Sequence, residues 1–189
     1  MDFRIEGLIG EDVTAGRVAD LLDRDAGPVE IVVNSPGGSA TEGAAIYAEL
    51  RAHPAPVTIR VRGIAASAAS LIACAGDRIT MAPGAIFMLH DPAAITLGDA
   101  DAHRQAVAML DELSRVYAQV YADASGNPEP MVRDWMRAES WLGPEEAVAL
   151  GFADALEEPP APDTTARGAP AALAHHRPAA FVAQPVLTL

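Results

Sequence analysis

The chain has 189 residues, 50% of them apolar and 21% charged, with a formal net charge of −13. That length suits one well-buried domain, alone or followed by a tail. The acidic balance repels phosphate backbones and anionic lipid, which argues against nucleic-acid and membrane-surface partners, and the absence of any lysine excludes lysine Schiff bases, a P-loop lysine and a Ser-Lys dyad.

Phe3 and Ile5 suggest an opening strand. Thr14 is placed to cap a helix carrying Val18, Leu21 and Leu22 on one face. Val29 to Val33 reads as an apolar strand running into NSPGGS, residues 34 to 39, which reads as a turn. Ser39 and Glu42 have the S-x-x-E spacing of a helix start, and that helix stops before Pro54. Val57, Ile59 and Val61 alternate with Thr58, Arg60 and Arg62, the period of a strand. It runs straight into GIAASAAS, residues 63 to 70, where alanine favours helix. Two further strands are expected at 78 to 81 and 85 to 89.

From Asp99 the period changes. Val107, Leu110, Leu113, Val116 and Val120 recur at three- and four-residue spacing, the mark of one long amphipathic helix over about 99 to 124. A shorter helix begins near Pro128 or Pro130. Another begins after Gly143, with Pro144 at its first position and Gly151 closing it. Strands alternating with helices argue an α/β domain with right-handed crossovers. Residues 157–189 contain six prolines and nine alanines with little periodicity. They read as a flexible tail behind a domain of residues 1–156.

The single cysteine, Cys74, lies in an apolar run and reads as a small buried hydrophobe that cannot form an internal disulfide. The N-terminus, MDFRIEG, lacks the basic start and apolar stretch of a signal peptide. Both features point to a reducing compartment, the cytoplasm. The apolar run 63 to 75 is too short to span a bilayer. One cysteine and scattered histidines give no metal-ligand spacing, so neither metal nor cofactor is expected.

Two stretches carry chemistry. In NSPGGS, paired glycines between a strand and a capped helix can expose backbone N–H groups to an anion or a developing oxyanion. In GIAASAAS, a strand followed by a helix start puts Ser67 where unpaired N–H groups and the positive helix end gather. Ser70 falls one turn further in, towards packing. A serine hydroxyl needs a base to react at neutral pH. His53 and His103 read as surface residues. His90 ends an apolar strand just before Asp91-Pro92 and is the candidate general base.

NSPGGSATEG, GIAASAAS, MLHDP and WLGPEEAVALGFAD, in this order over roughly residues 3 to 156, resemble the Clp protease proteolytic subunit family of serine peptidases. The resemblance implies a ClpP/crotonase-like fold of repeated β-β-α units with a long protruding handle helix. It implies Ser67 as nucleophile, His90 as base, and the N–H groups of Gly38 and Ala68 as oxyanion hole. The third triad position falls at Glu139, where the main family has Asp, with Asp134 and Asp91 as alternatives. Protein or peptide substrates and a homo-oligomeric ring, a heptamer or stacked double ring, are implied as partners. Housekeeping members dock an ATPase through aromatic residues. The matching positions here, Glu30, Val32 and Ala52, are not aromatic, so an ATPase partner is left open. The short start before the first strand, GIAASAAS, the Glu of Glu-Ser-Trp and the Ala/Pro-rich tail look most like the Clp-related head-maturation proteases of phages and prophages. Those act on capsid and scaffold proteins. The alternatives are a housekeeping ATP-dependent Clp subunit, a crotonase-like acyl-CoA enzyme and an inactive ring-forming scaffold subunit.

Overall fold

The computed structural model describes residues 1–158. Val29, Ile31 and Val33 are all exposed by 2% or less, and they form the inner half of β2 (Val29–Gly38). Parallel partners flank it, β1 (Asp2–Ile9) on one side and β3 (Val57–Ala66) on the other. Parallel neighbours need crossover connections, which α1 (Ala15–Leu22) and α2 (Ala40–Ala52) provide. β3 then divides its far edge between two strands. Its residues 58 to 61 pair with β4 (Arg78–Met81), and its residues 64 to 66 pair with β5 (Ile86–Leu89). β6 (Ser140–Leu142) joins β5 antiparallel and β7 (Ala155–Leu156) joins β4 in parallel, completing a seven-stranded sheet.

The remaining helices are α3 (Ala68–Ala73), α4 (Ala100–Ser125), α5 (Glu129–Arg137) and α6 (Pro144–Ala149). The run β4, β5, α4 is a two-strands-then-helix step of the kind the sequence implies. Every residue of α3 is buried, so its alanines let it lie directly against neighbouring backbone. A Cβ on Gly43 of α2 would stand 2.8 Å from the Ala68 Cβ, so this helix pair packs at the closest approach glycine allows. The S-x-x-E start of α2 does two jobs. Ser39 Oγ accepts the Glu42 N–H at 3.4 Å, while the Glu42 carboxylate accepts the Ala15 N–H at 2.7 Å and so caps α1 instead of its own helix.

NSPGGS is not a free turn. β2 continues through it to Gly38, with Leu8 facing Gly37 and Ile9 facing Gly38 across the β1 edge. A register shift after Val33 absorbs the irregularity. Buried Ser35 replaces ladder contacts there, donating to Gly7 O at 2.6 Å and accepting from the Gly37 N–H at 3.1 Å. Gly and Pro signal a turn by local propensity, and strand pairing overrides it. β6 and β7 have 3 and 2 residues, too few to show a period in sequence.

The long helix is present, but its apolar stripe is covered only in part. Burial begins at Tyr117, whereas Val107 and Val116 are 58% and 39% exposed. Val107 and Met109, in the N-terminal half of α4, stay exposed, while His103 there meets Thr96 Oγ1 through Nδ1 at 2.8 Å. Glu157, expected as the first tail residue, is tied to the sheet: its N–H donates to Met81 O at 2.7 Å and its carboxylate accepts from Arg60 Nε at 2.7 Å. The rest of the expected tail, from residue 159, lies outside the described residues. Among the described residues, no helix is long and apolar enough to cross a membrane.

Candidate active site

Ser67 sits where β3 turns into α3, with φ 56° and ψ −125°. That is a strained conformation for a residue with a side chain, of the kind that projects a nucleophile from a strand-to-helix turn. Its N–H donates to Met88 O at 3.0 Å. Ala66 of β3 faces Met88 of β5, so the residues just beyond these strand ends leave the sheet side by side. Ser67 Oγ and His90 Nε2 lie 2.8 Å apart, within hydrogen-bond distance.

The end of β2 closes over this turn. Gly37 has φ 99°, and a Cβ there would stand 2.7 Å from Ala66 O and 2.8 Å from the Ser67 Cβ. Gly38 has φ 147°, and a Cβ there would stand 2.2 Å from Ile9 O. Only glycine allows both approaches. Ala68 is the first residue of α3, so its N–H has no intrahelical acceptor. Gly38, Ala68, Ser67 and His90 share the wall of a cleft of about 240 Å³, closed on another side by Tyr117 and Tyr121. A larger hollow of about 360 Å³ lies elsewhere, beside Asp77 and Asp154. Those carboxylates accept the Val57 and Ile79 N–H groups at 2.8 and 2.6 Å, which accounts for them structurally.

The third acid is not joined to this pair. Among the described residues, no carboxylate hydrogen-bonds the His90 ring. Asp91 accepts from the Ser114 hydroxyl, and Asp134 accepts from Arg137 at 3.1 Å on the surface of α5. Glu139 accepts the indole N–H of exposed Trp141 at 3.3 Å. Backbone register nonetheless brings Glu139 alongside. Phe87, Met88 and Leu89 face Leu142, Trp141 and Ser140, so the last paired step, Leu89 with Ser140, adjoins His90 on one strand and Glu139 on the other. Glu139 also has φ 52°. It and Ser67 are the non-glycine residues with positive φ among the described residues, and such strain clusters at functional positions.

The other candidates are otherwise engaged. His53 Nε2 lies 2.9 Å from Gly27 O, and His103 Nδ1 lies 2.8 Å from Thr96 Oγ1. Cys74 is buried, which pushes its thiol up to about 12; it stays protonated and unreactive. Ser70 is fully buried, as its position one turn into the helix implies. Its partner Tyr121 carried no signal in sequence beyond its place on the apolar stripe of the long helix.

Residues 9–159 match the family described as Clp protease. The ATP-dependent Clp protease proteolytic subunit of Leuconostoc citreum is 31% identical over 162 residues, covering 80% of each chain. The proteolytic subunit 1 of Chlamydia caviae is 31% identical over 140 residues, covering 71% of this chain and 73% of that one. A solved ClpP1 mutant from Listeria monocytogenes superposes with a TM-score of 0.76 at 21% identity, over 84% of this chain and 92% of that one. With the family match running from the end of β1 past β7, and the same α/β architecture in that solved relative, the chain belongs to the Clp protease family.

Proposed function

We propose that the protein is a serine-type endopeptidase, with Ser67 as nucleophile, His90 as general base, Glu139 as the orienting acid and the Gly38 and Ala68 N–H groups as oxyanion hole. The 2.8 Å approach of Ser67 Oγ to His90 Nε2 carries this reading. In the reaction, His90 takes the Ser67 proton as Oγ attacks a peptide carbonyl. The two N–H groups hold the oxyanion; losing one such donor typically costs about 10²–10³ in rate. His90 then protonates the leaving amine, and water releases the acyl group by the reverse sequence. Glu139, released from Trp141, would accept a hydrogen bond from the His90 Nδ1–H and stabilise the imidazolium.

A fluorophosphonate probe tests the reading directly. It should add one phosphonyl group to Ser67, with no adduct in Ser67→Ala. No adduct on Ser67 in folded protein would end it and favour a crotonase-like acyl-CoA enzyme, which needs no Ser-His pair. Assembly without hydrolysis of casein would favour a scaffold subunit.

We further infer head-maturation substrates, capsid or scaffold proteins, and a ring of identical chains in the cytoplasm. Glu30 supports the first. It stands where housekeeping members present an aromatic, and it binds Arg60 at 2.7 Å, which also binds Glu157. That surface is charged and internally paired rather than apolar. The exposed Val107 and Val116 on α4 support assembly. The curated relatives are named as ATP-dependent subunits, which favours a second reading, partnership with a Clp ATPase. Co-expression separates the two: processing of a capsid precursor without ATPase supports the first, and casein degradation only with ATPase and ATP supports the second. Native mass spectrometry reads the ring size.

A further inference from the structure

Behind the nucleophile turn lies a buried hydroxyl pair that the proposed chemistry does not use. Ser70, fully buried on α3, brings its Oγ to 2.6 Å from Met88 O and 2.8 Å from Ser67 O. On its other side, the Tyr121 hydroxyl lies 2.8 Å from Ser70 Oγ and 3.3 Å from Ser67 O. Tyr121 is also buried, on the last turns of α4. Burial drives its phenol far above the usual range, so it remains a donor.

Each hydroxyl has one proton. Ser70 donates best to Met88 O, the shorter contact. Tyr121 then donates to Ser70 Oγ. Ser67 O keeps the Ser70 and Leu71 N–H groups at 3.0 and 3.1 Å. The result is a directed chain, Tyr121 to Ser70 to Met88 O, in a dry, low-dielectric setting where such chains reinforce one another. Met88 O also accepts the Ser67 N–H. One carbonyl therefore receives both the strained nucleophile and the residue one helical turn behind it. It belongs to β5, two residues before His90.

We propose that Ser70 and Tyr121 form a positioning clamp that fixes the turn of Ser67 against the strand carrying His90, and so sets the Ser67–His90 separation. Ser70 is fully buried, and Tyr121, which lines the cleft, is 1% exposed and turns its hydroxyl to Ser70. The inference rests on the serine-peptidase reading above. Without the clamp, Met88 O keeps one donor, Ser67 O keeps two, and no buried group loses its last partner. The fold therefore tolerates its removal. What slackens is a turn held at φ 56°, and displacement of about 1 Å in such a pair costs around 10²-fold in rate.

Ser70→Ala, Tyr121→Phe and the double variant test this in the full chain. The readouts are kcat and KM on a fluorogenic peptide, the phosphonylation rate of Ser67, and Tm. Ser70→Ala should lower kcat and the phosphonylation rate at least tenfold, with KM within twofold and assembly unchanged. Tyr121→Phe should lower kcat less. The double variant should match Ser70→Ala, because the two act as one unit. Wild-type kcat and phosphonylation in folded Ser70→Ala, or losses that multiply in the double variant, overturn the clamp. If Ser70→Ala does not fold, Tyr121→Phe decides, and a wild-type rate there overturns it. If wild-type protein itself neither turns over peptide nor labels at Ser67, the peptidase reading falls first and the clamp with it.

Discussion

Ser67 and His90 stand on the centre of the sheet; Glu139 stands on its edge. The first two leave β3 and β5 beside Ala65, Phe87 and Leu89, all fully buried, and their 2.8 Å separation follows from backbone pairing of Ala66 with Met88. Glu139 precedes a three-residue strand paired on one side only, and an exposed indole holds its carboxylate. Both places are strained, at φ 56° and 52°. The centre is over-determined by packing and by the carbonyl of Met88. At the edge, a short strand paired on one side and the Trp141 indole are what hold Glu139. A pair carried on central strands comes assembled. A residue beside an edge strand is held by fewer neighbours.

The largest expected effect lies at the centre. Ser67→Ala and His90→Ala should each lower kcat by roughly 10⁴-fold or more, and the double variant should be no worse than either, since such residues act as a unit. Peptide kinetics read this, and multiplying losses would separate the two residues. At the edge, Glu139→Gln should lower kcat by about 10²-fold or more. A near-wild-type rate would pass the role to Asp91 or Asp134.

Stability probes distinguish the regions next. Gly37→Ala places a methyl against Ala66 O at φ 99° and should destabilise by roughly 1–3 kcal/mol, read by chemical denaturation; an unchanged midpoint would mean the β2 end can withdraw from the turn. Glu139→Gly relieves a left-handed residue and should stabilise by about 1 kcal/mol while losing activity. A lower Tm would show that Glu139 contributes more through contacts than it costs in backbone strain.

The smallest effect lies on the far sheet edge. Burial raises the Glu157 carboxyl, but hydrogen bonds and charge from Arg60 and Arg62 outweigh it and hold it below the usual range. A carboxyl depressed in the folded state contributes stability above its unfolded value, about 4.3, and loses it as pH falls through the lower folded value. The Tm advantage of wild type over Glu157→Gln should therefore be present at pH 7 and shrink below about pH 4. An advantage independent of pH would assign the effect to packing.

Much of this molecule is local and so legible in one dimension. Alternating Val57, Ile59 and Val61 describe a strand, Asp99 and the stripe after it a long helix, and Ser39 with Glu42 a helix start. Family resemblance at NSPGGS, GIAASAAS and MLHDP singled out Gly38, Ser67, Ala68 and His90, which meet in the cleft. What tertiary structure decided is where long-range pairing outweighs propensity. NSPGGS carries every mark of a turn, yet pairing with β1 draws it into β2 as far as Gly38. Ser67 and His90, 23 positions apart, meet only because β5 aligns beside the distal half of β3. The Ser70–Tyr121 pair joins groups 51 positions apart. Periodicity reports which face of an element is apolar; it holds no record of which two faces meet, because that depends on the free energy of the whole packed sheet rather than of any one segment.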